Sequence, residues 1–246
     1  MYNPFSLEGK TILVTGASSG IGRACAIECS KQGARCVISA RNEERLQETF
    51  SDLEGQNHEA FIADLCEEES LLRLFDQLPA LDGLVLCQGI VKTVPVKHIN
   101  EDEIQDIFNT NILSDIRLCS ALLKKKKIRS GASVVMISSV STFSVKVGNS
   151  LYSATKGAMN SFAKAMALEL APKKIRVNCI QPGFVRTNIL ENHGLADDAL
   201  KWYAERHPLG LGTPTDVANA CIYLLSDAAR WVTGSIFTID GGNTLQ

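Results

Sequence analysis

A chain of 246 residues, 45% apolar and 21% charged, is long enough to bury a large core, and one α/β domain spanning 1–246 is the expectation. A formal charge of −2 offers no general attraction to nucleic acid or to anionic membrane, and no run reaches the roughly 20 apolar residues of a bilayer span. The opening Met1–Ser6 lacks the basic and apolar segments of a signal peptide, so a cytoplasmic setting is expected. Eight cysteines stand scattered among apolar neighbours, never as Cys-x-x-Cys, which reads as buried thiols in a reducing compartment rather than a disulfide framework. Four histidines, none paired at ligand spacing, leave little material for a metal site.

In chain order, Thr11–Thr15 reads as a short strand. It runs into Gly16-Ala-Ser-Ser-Gly20-Ile-Gly22, and a helical pattern begins at Arg23. Strand, glycine turn and helix in direct succession suit a dinucleotide pyrophosphate. The glycines permit a tight turn and close backbone approach, and free amides at the helix N-terminus receive the phosphates. The spacing is Gly-x3-Gly-x-Gly, not the commoner Gly-x-Gly-x2-Gly. A second strand, Arg35–Ser39, leads to Ala40-Arg41, where an NAD site usually carries an acidic residue for the ribose hydroxyls. Arg41 could fork onto a 2′-phosphate, which favours NADP over NAD; otherwise it is a solvent-facing arginine or an ion-pair partner of Glu43 or Glu44.

A polar helix from about Glu43 to Leu53, a strand over His58–Ile62, a helix through Ser70–Phe75 and a strand over Gly83–Leu86 continue the alternation. Strands alternating with helices imply a parallel sheet covered on both faces, with every strand's C-terminal end on one ligand-binding rim. Asp64 stands on that rim, suited either to an adenine amino group or to a turn or cap. A long helix is expected over about Asp102–Lys126. Asn111, a poor helix former inside it, must face solvent, bond the backbone or serve a site. The run Lys124–Lys127 complements a helix C-terminus.

Ser133–Ser139 reads as a buried strand delivering two hydroxyls to the rim. Thirteen residues after Ser139, Tyr152 opens a helix in which Lys156 lies one turn on. Residues four apart share a helix face, so phenol and ammonium can address one small volume, and a fixed cation beside a phenol favours acid–base work. By itself the pair reads more readily as an amphipathic helix with a snorkelling lysine. A sixth strand, Ile175–Ile180, leads into Gln181-Pro182-Gly183. The mixed segment 184–212 reads as a substrate lid, and a helix over Thr215–Ser226 and a strand over Ser235–Ile239 complete the chain.

Together these motifs resemble the short-chain dehydrogenase/reductase family from Leu7 onward: Thr15-Gly-x3-Gly-Ile-Gly22, Asn111, Ser139, Tyr152-x3-Lys156, and Pro182-Gly183 with Thr187, in the family's order and spacing. The resemblance implies a doubly wound Rossmann fold with a seven-stranded sheet, usually a homotetramer, and hydride transfer between a nicotinamide and a carbonyl or alcohol. By position, Tyr152 would protonate the carbonyl oxygen and Ser139 would hold it, with Ser138 a competing serine that the spacing disfavours. Lys156 would bond the nicotinamide ribose, and Asn111 would hold a relay water. The implied cofactor contacts are Gly16, Ser18, Ser19, Gly20, Ile21 and Gly22 in the turn. Arg41, Asp64, Leu65 and Gly89 follow on the rim, then Pro182, Gly183, Val185 and Thr187 near the carboxamide.

One motif departs from the family. Asn-Asn-Ala-Gly is usual after the fourth strand, whereas this chain has Leu86-Cys87-Gln88-Gly89, losing the asparagine that braces the neighbouring strand. Cys87 there is either a redox-sensitive thiol or a buried inert one. The overall length, the minimal insertions and the ending Gly210-x-Gly-Thr-Pro-Thr-Asp-Val-Ala through Asp240-Gly-Gly242 look most like β-ketoacyl-acyl-carrier-protein reductases of fatty acid biosynthesis. Lys124–Lys127 with Arg129, and Lys173 with Lys174, would then face an acidic carrier protein. A reductase of a sugar, steroid or other small ketone is the alternative. A non-catalytic NADP-binding regulator would be marked by a broken triad, and Ser139, Tyr152 and Lys156 are all present.

Overall fold

The computed structural model describes residues 2–187 and 197–245. Seven strands form one parallel sheet in the order β3-β2-β1-β4-β5-β6-β7. They are β1 Thr11–Thr15, β2 Arg35–Ala40, β3 Glu59–Ile62, β4 Leu81–Leu86, β5 Ile128–Ile137, β6 Arg176–Pro182 and β7 Ile236–Ile239. The described helices are α1 Gly20–Lys31, α2 Glu43–Ser51, α3 Glu68–Gln77, α4 Glu101–Phe108, α5 Ser114–Lys124, α6 Ser150–Leu170, α7 Asp197–Glu205 and α8 Pro214–Leu225.

Side chains alternate along each strand, so each central strand feeds two cores. Leu13, Leu84, Leu86, Val134, Met136 and Val177 pack with α3, α5 and α6. Ile12, Val14, Val85, Val135, Ile137 and Ile180 pack with α1, α2 and α8. This is the doubly wound Rossmann arrangement, and it places the ends of β1, β4, β5 and β6 side by side.

The long helix expected over Asp102–Lys126 is not continuous. Asn100 caps α4 reciprocally with Glu103, and Asn109–Leu113 widens into a π-helical turn before α5 begins. Such a turn inserts a residue into the helical ladder and re-aims side chains, and here it turns Asn111 inward to full burial. β5 starts at Ile128, five residues before the expected Ser133.

Among the described residues no helix is long and apolar enough to cross a membrane, and no group of three or more His, Cys, Asp or Glu could hold a metal ion.

Candidate active site

A cleft of about 1120 Å³ runs along the C-terminal ends of the strands. One end is the glycine turn. Gly16 holds φ +63° with its α-carbon packed on the start of the β4 loop, where a Cβ would stand 2.9 Å from the Gln88 nitrogen. A Cβ at Gly22 would overlap the Gly16 carbonyl, 2.7 Å from its carbon. The turn therefore closes only without side chains, leaving backbone amides of α1 open to an anion. Ser18, Ser19, Gly20 and Ile21 complete this wall.

Arg41 lines the cleft at the end of β2, well exposed, with Nη1 3.8 Å from Asp64 Oδ2. That contact is loose enough to leave the guanidinium free for a phosphate. Arg45, one turn into α2, lines the same corner and was not singled out by the sequence; its spacing of four from Arg41 was the available signal. Asp64 Oδ1 accepts from the Cys66 amide at 2.9 Å, which is the turn role of its two alternatives. Leu65 lines the cleft beside it.

At the other end stand Ser138, Ser139, Tyr152 and Lys156. Lys156 is almost fully buried, its Nζ 5.8 Å from the centre of the Tyr152 ring and donating to the Ile137 carbonyl at 2.6 Å. The two serines are separated by their partners. Ser138 Oγ donates to the Lys156 carbonyl at 3.3 Å and ties β5 to α6, whereas Ser139 Oγ bonds Ser141 Oγ at 3.0 Å on the cleft side. Gln181 Nε2 donates to the Ser139 carbonyl at 3.1 Å and fixes that strand end. Gly89, Pro182, Gly183, Val185 and Thr187 also line the cleft.

Asn111 does not line it. It lies beneath, where Nδ2 donates to the Ile90 carbonyl at 2.9 Å and to Thr155 Oγ1 at 3.2 Å, and Oδ1 accepts from the Ile90 amide at 2.8 Å. Thr155 Oγ1 in turn donates to the Tyr152 carbonyl at 2.8 Å. Backbone bonding is thus what satisfies this asparagine, and it joins the loop after β4 to the first turn of α6.

The departing motif has its own brace. The Gln88 side chain accepts from Thr15 Oγ1 at the end of β1, and its amide donates to Asp115 Oδ1 and, at 3.3 Å, to Ser114 Oγ on α5. Glutamine thereby links β1, the β4 loop and α5. Burial pushes the Asp115 carboxyl up to about 7, against the pull of the Lys156 cation and the Gln88 amide. Cys87 lines the cleft, but hydrogen bonding with the free thiol of Cys25 and burial push its own thiol well up, the inert reading of that residue.

The expected lid is described outside 188–196; the remainder of that expectation falls outside the described residues. Phe184 stacks on Tyr203 of α7 with ring centres 3.9 Å apart, and His207 bridges the Tyr203 carbonyl and the Phe184 amide. The Gly212 amide donates to the Phe184 carbonyl at 3.1 Å, anchoring the two ends of the segment to each other.

A βαβ sheet with this glycine turn and a Tyr–Lys pair on the same rim defines a nucleotide-dependent oxidoreductase, and the chain belongs to the short-chain dehydrogenase/reductase family, whose members use NAD(P). A family model described as "Enoyl-(Acyl carrier protein) reductase" matches residues 16–244. The chain is 36% identical to a 3-oxoacyl-[acyl-carrier-protein] reductase of Mus musculus, over 95% of this chain and 97% of the relative. It is 32% identical to 3-oxoacyl-[acyl-carrier-protein] reductase FabG of Chlamydia trachomatis, over 96% and 98%. Among solved structures it resembles a putative 2-deoxy-D-gluconate 3-dehydrogenase of Agrobacterium tumefaciens with bound NADP, at a TM-score of 0.88, 32% identity and 100% of both chains.

Proposed function

We propose that the protein reduces a ketone to a secondary alcohol with NADPH, and that its substrate is a 3-oxoacyl group carried on acyl carrier protein. One observation carries the reduction: Tyr152, Lys156 and Ser139 share a cleft whose far end is the Gly16–Gly22 turn with Arg41. The cofactor supplies the hydride. This chain's residues bind and orient it through the turn and through Pro182, Gly183, Val185 and Thr187. As negative charge builds on the carbonyl oxygen, the Ser139 hydroxyl donates to it and Tyr152 delivers the proton. Lys156 holds positive charge behind the phenol, and Asn111 keeps the Ile90 loop and the Tyr152 turn in register. Arg41, with Arg45 beside it and no acid at Ala40, supports NADP over NAD. The names of the two acyl-carrier relatives support the carrier-bound substrate, and a place in fatty acid biosynthesis, in the cytoplasm, belongs to the same proposal. Exposed Leu168, Trp231 and Phe237 support assembly into a homotetramer, checked by light scattering.

A second reading, a small ketone such as a sugar or steroid, is favoured by where the basic groups lie. Lys124–Arg129 precede β5 or open it, and Lys173 and Lys174 precede β6, so both clusters sit at the rim opposite the cleft. The rise per residue puts them on the order of 25 Å away along β5. Three are already engaged: Lys125 with Asp76, Lys127 with the Leu78 carbonyl and Arg129 with Asp82. A substrate panel with NADPH and NADH, run at low and high salt, separates the readings. Carrier-bound turnover that falls steeply with salt supports docking, and turnover confined to small ketones with no salt dependence supports the second reading.

A further inference from the structure

Asp115 is a buried acid that no part of the proposed chemistry uses. It sits on the first turn of α5, fully buried, one turn beyond Asn111. Oδ1 accepts from the Gln88 amide, while Oδ2 has no hydrogen-bond partner among the described residues. A carboxyl enclosed in this way is costly to ionise unless a cation faces it. The cation that bears on it is Lys156 from α6, with no direct ion pair between the two among the described residues. The other titratable groups that feel its charge are thiols: Cys87 from the β4 loop, Cys179 from β6 and Cys119 on its own helix. Each thiol is pushed up, Cys87 by hydrogen bonding with the Cys25 thiol and then burial, Cys119 and Cys179 by burial, and so stays uncharged at neutral pH. Asp115 and Lys156 are linked through the β4 loop: Gln88 holds the carboxyl, and a Cβ on the adjoining Gly89 would stand 3.6 Å from Lys156 Nζ.

We propose that Asp115 is a positioning residue that acts through Lys156: ionisation of its carboxyl places a negative charge behind the ammonium, offsets part of the positive field at the Tyr152 oxygen, and so sets where in pH the enzyme turns over. Gln88 completes the device by fixing the carboxyl to Thr15 at the glycine turn. No atom of Asp115 lines the cleft, so its influence is carried by field and by the Gln88 brace, not by contact with substrate. The inference rests on the reductase reading for its kinetic consequence, but the titration of Asp115 does not.

Two measurements on the full chain test it. Infrared difference spectra across pH 5 to pH 9 should show a protonated carboxylic-acid carbonyl band lost near neutrality in the wild type and missing in Asp115→Asn, which keeps size and one acceptor. The kcat/KM profile of Asp115→Asn against pH should have its Tyr152-dependent limb displaced to lower pH by about half a unit or more, as removal of a nearby buried charge requires. A band absent from the wild type across this range overturns the proposal. So does a variant whose rate falls uniformly with an unmoved limb, the mark of a purely structural part. Should Asp115→Asn fold poorly, Asp115→Ser is measured in its place: the same displaced limb supports the proposal, and an unmoved one overturns it. Failure to reduce any ketone, with the band titrating as described, would instead sink the reductase reading and leave the buried acid standing.

Discussion

The two loops that meet at the head of the cleft are built on different principles. The Gly16–Gly22 turn is held by what it lacks: a Cβ at Gly22 has nowhere to go, and Gly16 occupies a positive φ. The Cys87–Ile90 loop is held by side chains, Gln88 reaching Thr15 and Asp115, and Asn111 clasping Ile90 on both backbone groups. A backbone constraint admits one residue type and leaves a fixed signature. A side-chain brace can be rebuilt from other letters, so this loop can depart from the family's Asn-Asn-Ala-Gly and still be tied to β1 and α5.

The largest effect should come from neither loop but from Tyr152, on α6 at the other end of the cleft. Tyr152→Phe is expected to lower kcat by about 10²–10⁴-fold with NADPH affinity kept, read by steady-state kinetics beside cofactor titration. Near-normal turnover would end the assignment of the proton. Gly22→Ala sharpens the comparison from the backbone side. Overpacking here should cost about 1–3 kcal/mol, and each kcal/mol lowers Tm by about 2–4 °C in a chain of this size. An unchanged melting curve would show that the turn is looser than its geometry. Arg41→Ala should raise the KM for NADPH about tenfold and leave that for NADH nearly unmoved, since a charge-assisted bond to phosphate is worth about 1.5–3 kcal/mol and Arg45 retains part of it. Equal changes for both cofactors would refute the role.

The last test probes the side-chain loop through pH. The Asp115 carboxyl is raised in the folded state by burial, from an ordinary value near 3.8 to about 7. The folded form therefore holds this proton more tightly, and the contribution to stability is greatest below the unfolded value and declines as pH rises to about 7. Asp115→Asn removes that decline. The drop in Tm from pH 5 to pH 8 should be smaller in the variant than in the wild type, and an identical drop would show that Asp115 ionises as freely in the fold as outside it.

Much of the fold was legible because periodicity and glycine placement are backbone properties. All seven strands stand where apolar runs stop at the rim, and the Tyr152–Lys156 spacing already put both groups on one face. Three features were not legible for a shared reason: they depend on contacts between residues far apart in sequence. The π-turn at Asn109–Leu113 leaves no periodic trace. The partnership of Gln88 with Asp115 spans 27 positions, and each alone reads as an ordinary polar residue. The setting of the basic run at Lys124–Lys127 came only with the sheet: the strand direction puts it at the rim opposite the cleft, with Lys125 paired to Asp76 and the neighbouring Arg129 to Asp82.

The central claim is that this cleft passes a hydride from NADPH to a ketone carbon while Tyr152 supplies the proton. Its most direct test is to mix the protein with NADPH deuterated at the transferring position and a 3-oxoacyl thioester, on carrier protein and free, beside a small cyclic ketone, and to analyse the product by mass spectrometry. The account predicts a secondary alcohol carrying one deuterium at the former carbonyl carbon, formed by the wild type and nearly lost in Tyr152→Phe. An alcohol without the label, or one formed equally well by the variant, would contradict it.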